Sequence, residues 1–371
     1  MYAGLALAFS LAGARAGTIA PDDPGLFYSP YGWRVTAASA TTANSGSYLR
    51  CLFSGNAANL TFDVARMVSP PSQLYWRIDN SPFTRETLAA GVISMAVPPN
   101  NTHGDLPFHF LEVIVKSSTL GGNRWLAAGN SSRVVFTGLQ LEAGAVVAEA
   151  LPSPLSVLIF GDSITEGVIT NGNWPLLPYP DAGDVNHHDA TQCWSFRLGA
   201  LLGAETGVVG FGGQGLVASG AGSVPPFPET FALLWEGVPR VFDPVPSLIV
   251  INQGTNDHWN PKLNITAQMT AALNGLLAAA PGAPIAVLEP FGGFEAASLR
   301  AAIAATSDPS ACHYVDTTGF YNKTIGGGLY DQGLHPTGPN DLARIAPRVA
   351  AQLRPILFRS FLARNGETGV V

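Results

Sequence analysis

Val157-Leu158-Ile159-Phe160-Gly161-Asp162-Ser163-Ile164-Thr165-Glu166-Gly167 decides how the rest of the chain is read. Its apolar half has no helical periodicity and is stopped by Gly161, the pattern of a strand buried on both faces, as in a parallel sheet. Such a strand delivers Ser163 into the turn at its carboxyl end, where open α/β sheets bind their ligands. The alternative for a serine in this position is a helix N-cap.

Downstream, strands alternate with helices. Gly207-Val208-Val209, Ser247 to Asn252, Pro284 to Glu289 and His313 to Asp316 are short and β-branched. Helical segments are predicted from about Cys193 to Leu202, Ala267 to Ala279, Glu295 to Ala305 and Pro339 to Leu353. This alternation implies right-handed crossovers and a parallel sheet covered on both faces. Upstream of Leu151-Pro152-Ser153-Pro154 the pattern differs. Residues 47–53, 59–64, 74–79, 108–115 and 133–139 are alternating, β-branched or aromatic runs separated by turn-formers such as Ser54-Gly55-Asn56 and Gly121-Gly122-Asn123. They predict a smaller all-β jelly-roll or β-sandwich domain over residues 25–148, each strand turning one face to the core. An α/β domain over 155–365 follows it.

Charged residues are only 12% of the 371, against about 25% in an average globular protein. With 19 basic and 26 acidic residues and no basic cluster, the chain lacks the surface that would neutralise nucleic-acid phosphates or anionic lipid. Ala3 to Ala14 is a short apolar run ending in Ala14-Arg15-Ala16, so residues 1–16 read as a signal peptide. Sequons at Asn59, Asn100, Asn130, Asn264 and Asn322 accord with a secreted, extracellular glycoprotein. No further segment has the length and apolarity of a membrane span. Cys193 and Cys312 share the second domain and either pair, leaving Cys51 buried alone, or all three are buried thiols. His187 and His188 lie among Asp181, Asp184 and Asp189, which reads as a solvated loop before a metal site. No spacing elsewhere suggests a metal.

Three loops at the carboxyl ends of the parallel strands bear reactive groups. Ser163 follows the first strand, Gly254-Thr255-Asn256-Asp257 the third, and His335-Pro336 precedes the last helix. A serine hydroxyl needs a neighbouring imidazole to take its proton, and His335 is the candidate. An oxyanion needs donors, for which the Asn256 amide, the Ser163 N–H and a glycine N–H from Gly210-Phe211-Gly212-Gly213-Gln214-Gly215 are available. The bland reading of each is a turn or cap.

Taken in order, these four blocks resemble the signatures of the SGNH (GDSL-type) hydrolases over roughly the last 210 residues. The resemblance implies a flavodoxin-like fold, a serine esterase without cofactor, Ser163 as nucleophile, His335 as base, and Ser163 N–H, Gly213 N–H and Asn256 as oxyanion donors. Gly212 and Gly215 compete with Gly213. With a β-sandwich in front, the whole chain looks like carbohydrate esterase family 2, whose members remove acetyl groups from sugars. An acetylated oligo- or polysaccharide is then the substrate, with Trp259 and Trp174 as a stacking wall. One departure stands out: the family's last block has an acid three residues before its histidine, where this chain has Gln332, and Asp331 is one residue further. Asp331, Gln332 or a backbone carbonyl then orients His335. A lipase-like or aryl esterase, and a sugar-binding wall protein with a silent site, are the other readings.

Overall fold

The computed structural model describes residues 17–98, 108–171, 184–258, 264–321, 330–331 and 334–364. The proposed signal segment, Trp174, Asp181, Trp259, Gln332, and the sequons at Asn100 and Asn322 lie outside the described residues.

The first half is built of twelve strands: β1 (Thr18–Ile19), β2 (Phe27–Tyr28), β3 (Trp33–Val35), β4 (Ala40–Thr42), β5 (Tyr48–Phe53), β6 (Ala57–Phe62), β7 (Gln73–Ile78), β8 (Thr84–Thr87), β9 (Val92–Ala96), β10 (His109–Ser117), β11 (Val134–Leu141) and β12 (Val147–Ala148). They form two six-stranded antiparallel sheets. One runs β3-β4-β11-β6-β9 with β1 also on β11, the other β12-β5-β10-β7-β8 with β2 also on β5. Side chains of both inner faces, among them Leu60, Phe136 and Leu139 from one and Cys51, Phe53, Leu74 and Leu111 from the other, share a single core. This is the expected β-sandwich.

β10 departs from the alternation that the sequence leads one to expect. From Leu111 to Ser117 every residue is buried, because its outer face packs on neighbours too. Glu112 on that face is taken by Arg50 and Arg77, each with its Nε 2.9 Å from the carboxylate. Lys116 is fully buried and donates to two carbonyls of the second half, Val185 O at 2.7 Å and His188 O at 2.6 Å. A charge with full hydrogen bonding can be buried where an unpaired one cannot.

The second half begins at β13 (Ser156–Gly161), followed by helices α1 (Ser163–Glu166), α2 (Asp184–His187) and α3 (Trp194–Leu202), strand β14 (Glu205–Gly210) and helix α4 (Phe227–Thr230). A small hairpin, β15 (Leu233–Trp235) with β16 (Val238–Pro239), precedes β17 (Leu248–Asn252), α5 (Ile265–Ala279), β18 (Ile285–Leu288), α6 (Ala296–Ala304) and β19 (Cys312–Val315). Then come the two-residue strands β20 (Tyr330–Asp331) and β21 (His335–Pro336), and helices α7 (Gly338–Asn340) and α8 (Ala346–Arg364) with a π-helical turn at Asp341–Ile345 between them. The parallel sheet has the order β14-β13-β17-β18-β19, the flavodoxin-like arrangement that was expected. Alternate residues of β13 face opposite layers. Val157 and Ile159 pack with Leu198 of α3 and Val349 and Leu353 of α8, whereas Leu158 and Phe160 pack with Met269 and Leu273 of α5.

All three cysteines are free and buried. Cys193 belongs to one layer and Cys312 to the other, so the sheet stands between them and the pairing left open by the sequence does not form. Among the described residues no helix is long and apolar enough to cross a membrane.

Candidate active site

β13 ends at Gly161 because the turn there leaves no room for a side chain. A Cβ would meet Thr165 Oγ1 at 2.0 Å. Asp162 then caps α1, its Oδ1 accepting from Ile164 N at 2.9 Å. Ser163 is therefore the first helical residue, and the cap role that the sequence left open for it belongs to Asp162. Ser163 is 7% exposed.

His335, 172 residues away in sequence, meets it: His335 Nε2 lies 2.8 Å from Ser163 Oγ. Burial pulls the imidazole down to about 4 from its ordinary 6.5, so it is neutral and able to accept a proton at pH 7. His335 stands in β21, and its register partner across the β20–β21 pair is Asp331. The Asp331 side chain is outside what the structure describes, as is Gln332.

The glycine loop after β14 separates the three competing glycines. Gly212 N donates to Glu166 Oε2 at 2.8 Å, and Gly215 N to Ala218 O at 2.9 Å. Among the described residues Gly213 N has no such partner, and its φ of +78° is one that glycine alone adopts without strain. Asn256 ties this loop to the serine turn. Its Nδ2 donates to Gln214 O at 2.8 Å and leans toward Asp162 Oδ2 at 3.3 Å. Ser163, His335, Asn256 and the Gly212–Gln214 segment are thus brought together by side chains linking separate loops.

Several supporting groups stand within the blocks read from the sequence but received no role there. Asp257, fully buried beside Asn256, accepts from three successive backbone donors, Leu216 N (2.7 Å), Val217 N (2.9 Å) and Ala218 N (3.1 Å), and so fixes the descent of the glycine loop. Gln214 donates through Nε2 to Pro225 O (2.7 Å) and Thr230 Oγ1 (3.0 Å). Asp162 is fully buried, and that burial raises its carboxyl to about 7 against the lowering effect of donors at Ile164 and Thr255. The only available hint was adjacency to Ser163 and Asn256.

The expected solvated loop around His187 and His188 is a correction: Asp184, His188 and Asp189 are buried. Asp184 Oδ2 accepts from Thr119 Oγ1 (2.8 Å) and Leu120 N (2.9 Å), and Asp189 Oδ2 from Tyr75 OH (2.9 Å), all donors of the sandwich. His188 Nδ1 accepts from Ile169 N at 3.0 Å. These charges sit where the two halves meet, not in water. Among the described residues no cluster has the makings of a metal site.

Residues 159–339 match the model of the GDSL-like Lipase/Acylhydrolase family. No curated protein sequence matches the chain. Among solved structures, a family two carbohydrate esterase from Cellvibrio japonicus superposes with a TM-score of 0.72 at 22% identity, covering 92% of this chain and 98% of that one. An acetyl xylan esterase (Est2A) from the rumen bacterium Butyrivibrio proteoclasticus gives 0.72 at 14% identity, with 94% and 99% covered. A family two carbohydrate esterase from Clostridium thermocellum, solved in complex with cellohexaose, gives 0.70 at 17%, with 90% and 99% covered. Residues 159–339 are therefore a GDSL-like lipase/acylhydrolase domain, and the chain is a carboxylic ester hydrolase with the two-part fold of the family two carbohydrate esterases.

Proposed function

We propose that this protein is a secreted serine esterase that removes O-acetyl groups from carbohydrate through a covalent acetyl-enzyme. The observation that carries the proposal is the 2.8 Å contact between Ser163 Oγ and a neutral His335 Nε2. Ser163 Oγ attacks the acetyl carbonyl as its proton passes to His335 Nε2. The oxyanion accepts from Ser163 N–H, Gly213 N–H and the Asn256 amide. Collapse of the intermediate expels the sugar oxygen, which takes the proton from His335. Water, deprotonated by His335, then attacks the acetyl carbonyl, and acetate leaves with Ser163 Oγ recovering the proton. Asp331, register partner of His335, is the residue proposed to hold the imidazole's tautomer. No cofactor enters these steps.

Carbohydrate as substrate rests on the fold shared with esterases described as acting on sugars, and Trp259 and Trp174 are the residues proposed to stack on it. Secretion rests on residues 1–16 as a signal peptide and on the sequons, with N-linked glycans proposed at Asn59, Asn100, Asn130, Asn264 and Asn322. Domains of 25–148 and 155–365 belong to the same proposal. The test is acetate release from acetylated xylo-oligosaccharide and from p-nitrophenyl acetate. A stoichiometric burst is expected, abolished in Ser163→Ala. Turnover retained by Ser163→Ala, or none in the wild type, would overturn the reading.

A further inference from the structure

The β-sandwich reaches the edge of the glycine loop through one fully buried side chain, Arg124. Its Nη1 forms an ion pair with Glu166 Oε1, three residues past Ser163 on α1. The other oxygen, Glu166 Oε2, accepts from Gly212 N at 2.8 Å. The Arg124 guanidinium also lies over the ring of Phe211, 5.3 Å from its centroid, and Arg124 N donates to Gly222 O at 3.0 Å. On the same side, Leu120 of the sandwich backs Gly212 closely enough that a Cβ there would meet its Cδ2 at 2.9 Å. The carbonyl of Gly212 is held as well, by Ala221 N at 2.7 Å. The two contacts thus hold the peptides on either side of the Gly212 Cα, the second being the one that carries the Gly213 N–H, and both depend on residues that the sandwich braces.

We infer that Arg124 is a positioning residue: it fixes the Glu166 carboxylate, which holds the Gly212 N–H and so, together with the Ala221 N bond to Gly212 O, the backbone that aims the Gly213 N–H. This rests on the reading of Gly213 as an oxyanion donor. Its consequence is that the sandwich completes the active site instead of serving only as an appended module. The physical case is one of partners. A carboxylate buried to this degree beside a backbone donor needs a cation, since an unpaired buried charge is costly, and none of the α/β half's own lysines or arginines is paired with Glu166 among the described residues. Donors aimed at an oxyanion contribute only if they are held before the charge appears.

The test compares full-length wild type, Arg124→Met and Arg124→Lys on p-nitrophenyl acetate, with a simple alkylboronic acid as a probe that forms a tetrahedral adduct on serine. Loss of oxyanion alignment lowers kcat and weakens the boronate while leaving ground-state binding alone. For Arg124→Met we expect kcat to fall tenfold or more, KM to stay within about threefold, and the boronate Ki to rise in proportion to the fall in kcat. Arg124→Lys should recover part of both. Unchanged kcat in Arg124→Met, a loss confined to KM, or a loss of kcat with an unchanged boronate Ki would each overturn the inference. Should Arg124→Met fail to fold, the neutral but polar Arg124→Gln carries the same comparison, and wild-type kcat and Ki in it would overturn the inference. Failure of Ser163→Ala to abolish turnover sinks the proposed function itself, which separates the two outcomes.

Discussion

Two titrations at single residues have opposite consequences. His335, pushed down to about 4 by burial, must be neutral to accept the serine proton, and it is neutral above that value. The acid limb of kcat/KM should therefore fall near pH 4, with a plateau through 6.5; a limb at 6.5 or above would contradict this geometry. Asp162 is raised, to about 7 from 3.8. Below pH 4 it is protonated folded or unfolded. As pH rises toward 7 the unfolded chain ionises it while the folded chain still holds the proton, so the stability this carboxyl contributes at low pH is lost across that window. Over it, the loss amounts to a few kcal/mol. Asp162→Asn keeps an oxygen to cap Ile164 and has no charge to bury. Its melting temperature relative to wild type should climb between pH 4.5 and 7.5, and a constant difference would count against the burial argument.

Among elements, the stretch that follows the glycine loop, Leu216 to Ala218, is held by one side chain. Asp257 satisfies three consecutive N–H groups whose only other recourse is water, and charge-assisted bonds of this kind are the stronger class. Asp257→Ala should cost about 3 kcal/mol in denaturant unfolding and reduce kcat through the neighbouring Asn256; a cost under about 1 kcal/mol would mean the loop holds itself. The parallel strands were legible in sequence because each is a short continuous apolar run bounded by turn-formers: β13, β17 and β18 lie within a residue or two of their predicted bounds, whereas the last helix, expected to end at Leu353, runs on to Arg364. The short strands β1 to β4, β8 and β12 were not, since two to four residues carry no period and owe their conformation to the neighbours they pair with. The same logic divides the site. Ser163, Asn256 and His335 were visible as reactive types on the right loops. Glu166, Asp257 and Gln214 were not, because their significance lies in partners 39 to 46 residues away. Arg124 and Lys116 reversed an ordinary expectation, that charges in a β-domain face water.

For the whole molecule the joint between the halves decides how it unfolds. Its contacts are buried and polar: Lys116 caps Val185 and His188, Asp184 is met by Thr119 and Leu120, and Tyr31 OH bridges Ser156 Oγ at 2.6 Å and Pro244 O at 2.9 Å. Glu205 at the head of β14 takes both Tyr48 OH and Arg50 Nη1 from the sandwich. Each half therefore leaves the other's backbone or charge unsatisfied if it departs, most acutely along residues 184–189, whose carbonyls and carboxylates find their donors in β7, β10 and the turn after β10. Domains joined by a small wet interface melt separately; those whose interface resembles a core melt together. Calorimetry should accordingly give one transition with equal calorimetric and van't Hoff enthalpies. Lys116→Met, which removes both caps while keeping most of the side-chain volume, should lower that single transition by several degrees or split it. Two transitions in the wild type, one of them insensitive to Lys116→Met, would show that the halves stand alone and that the sandwich is a passenger.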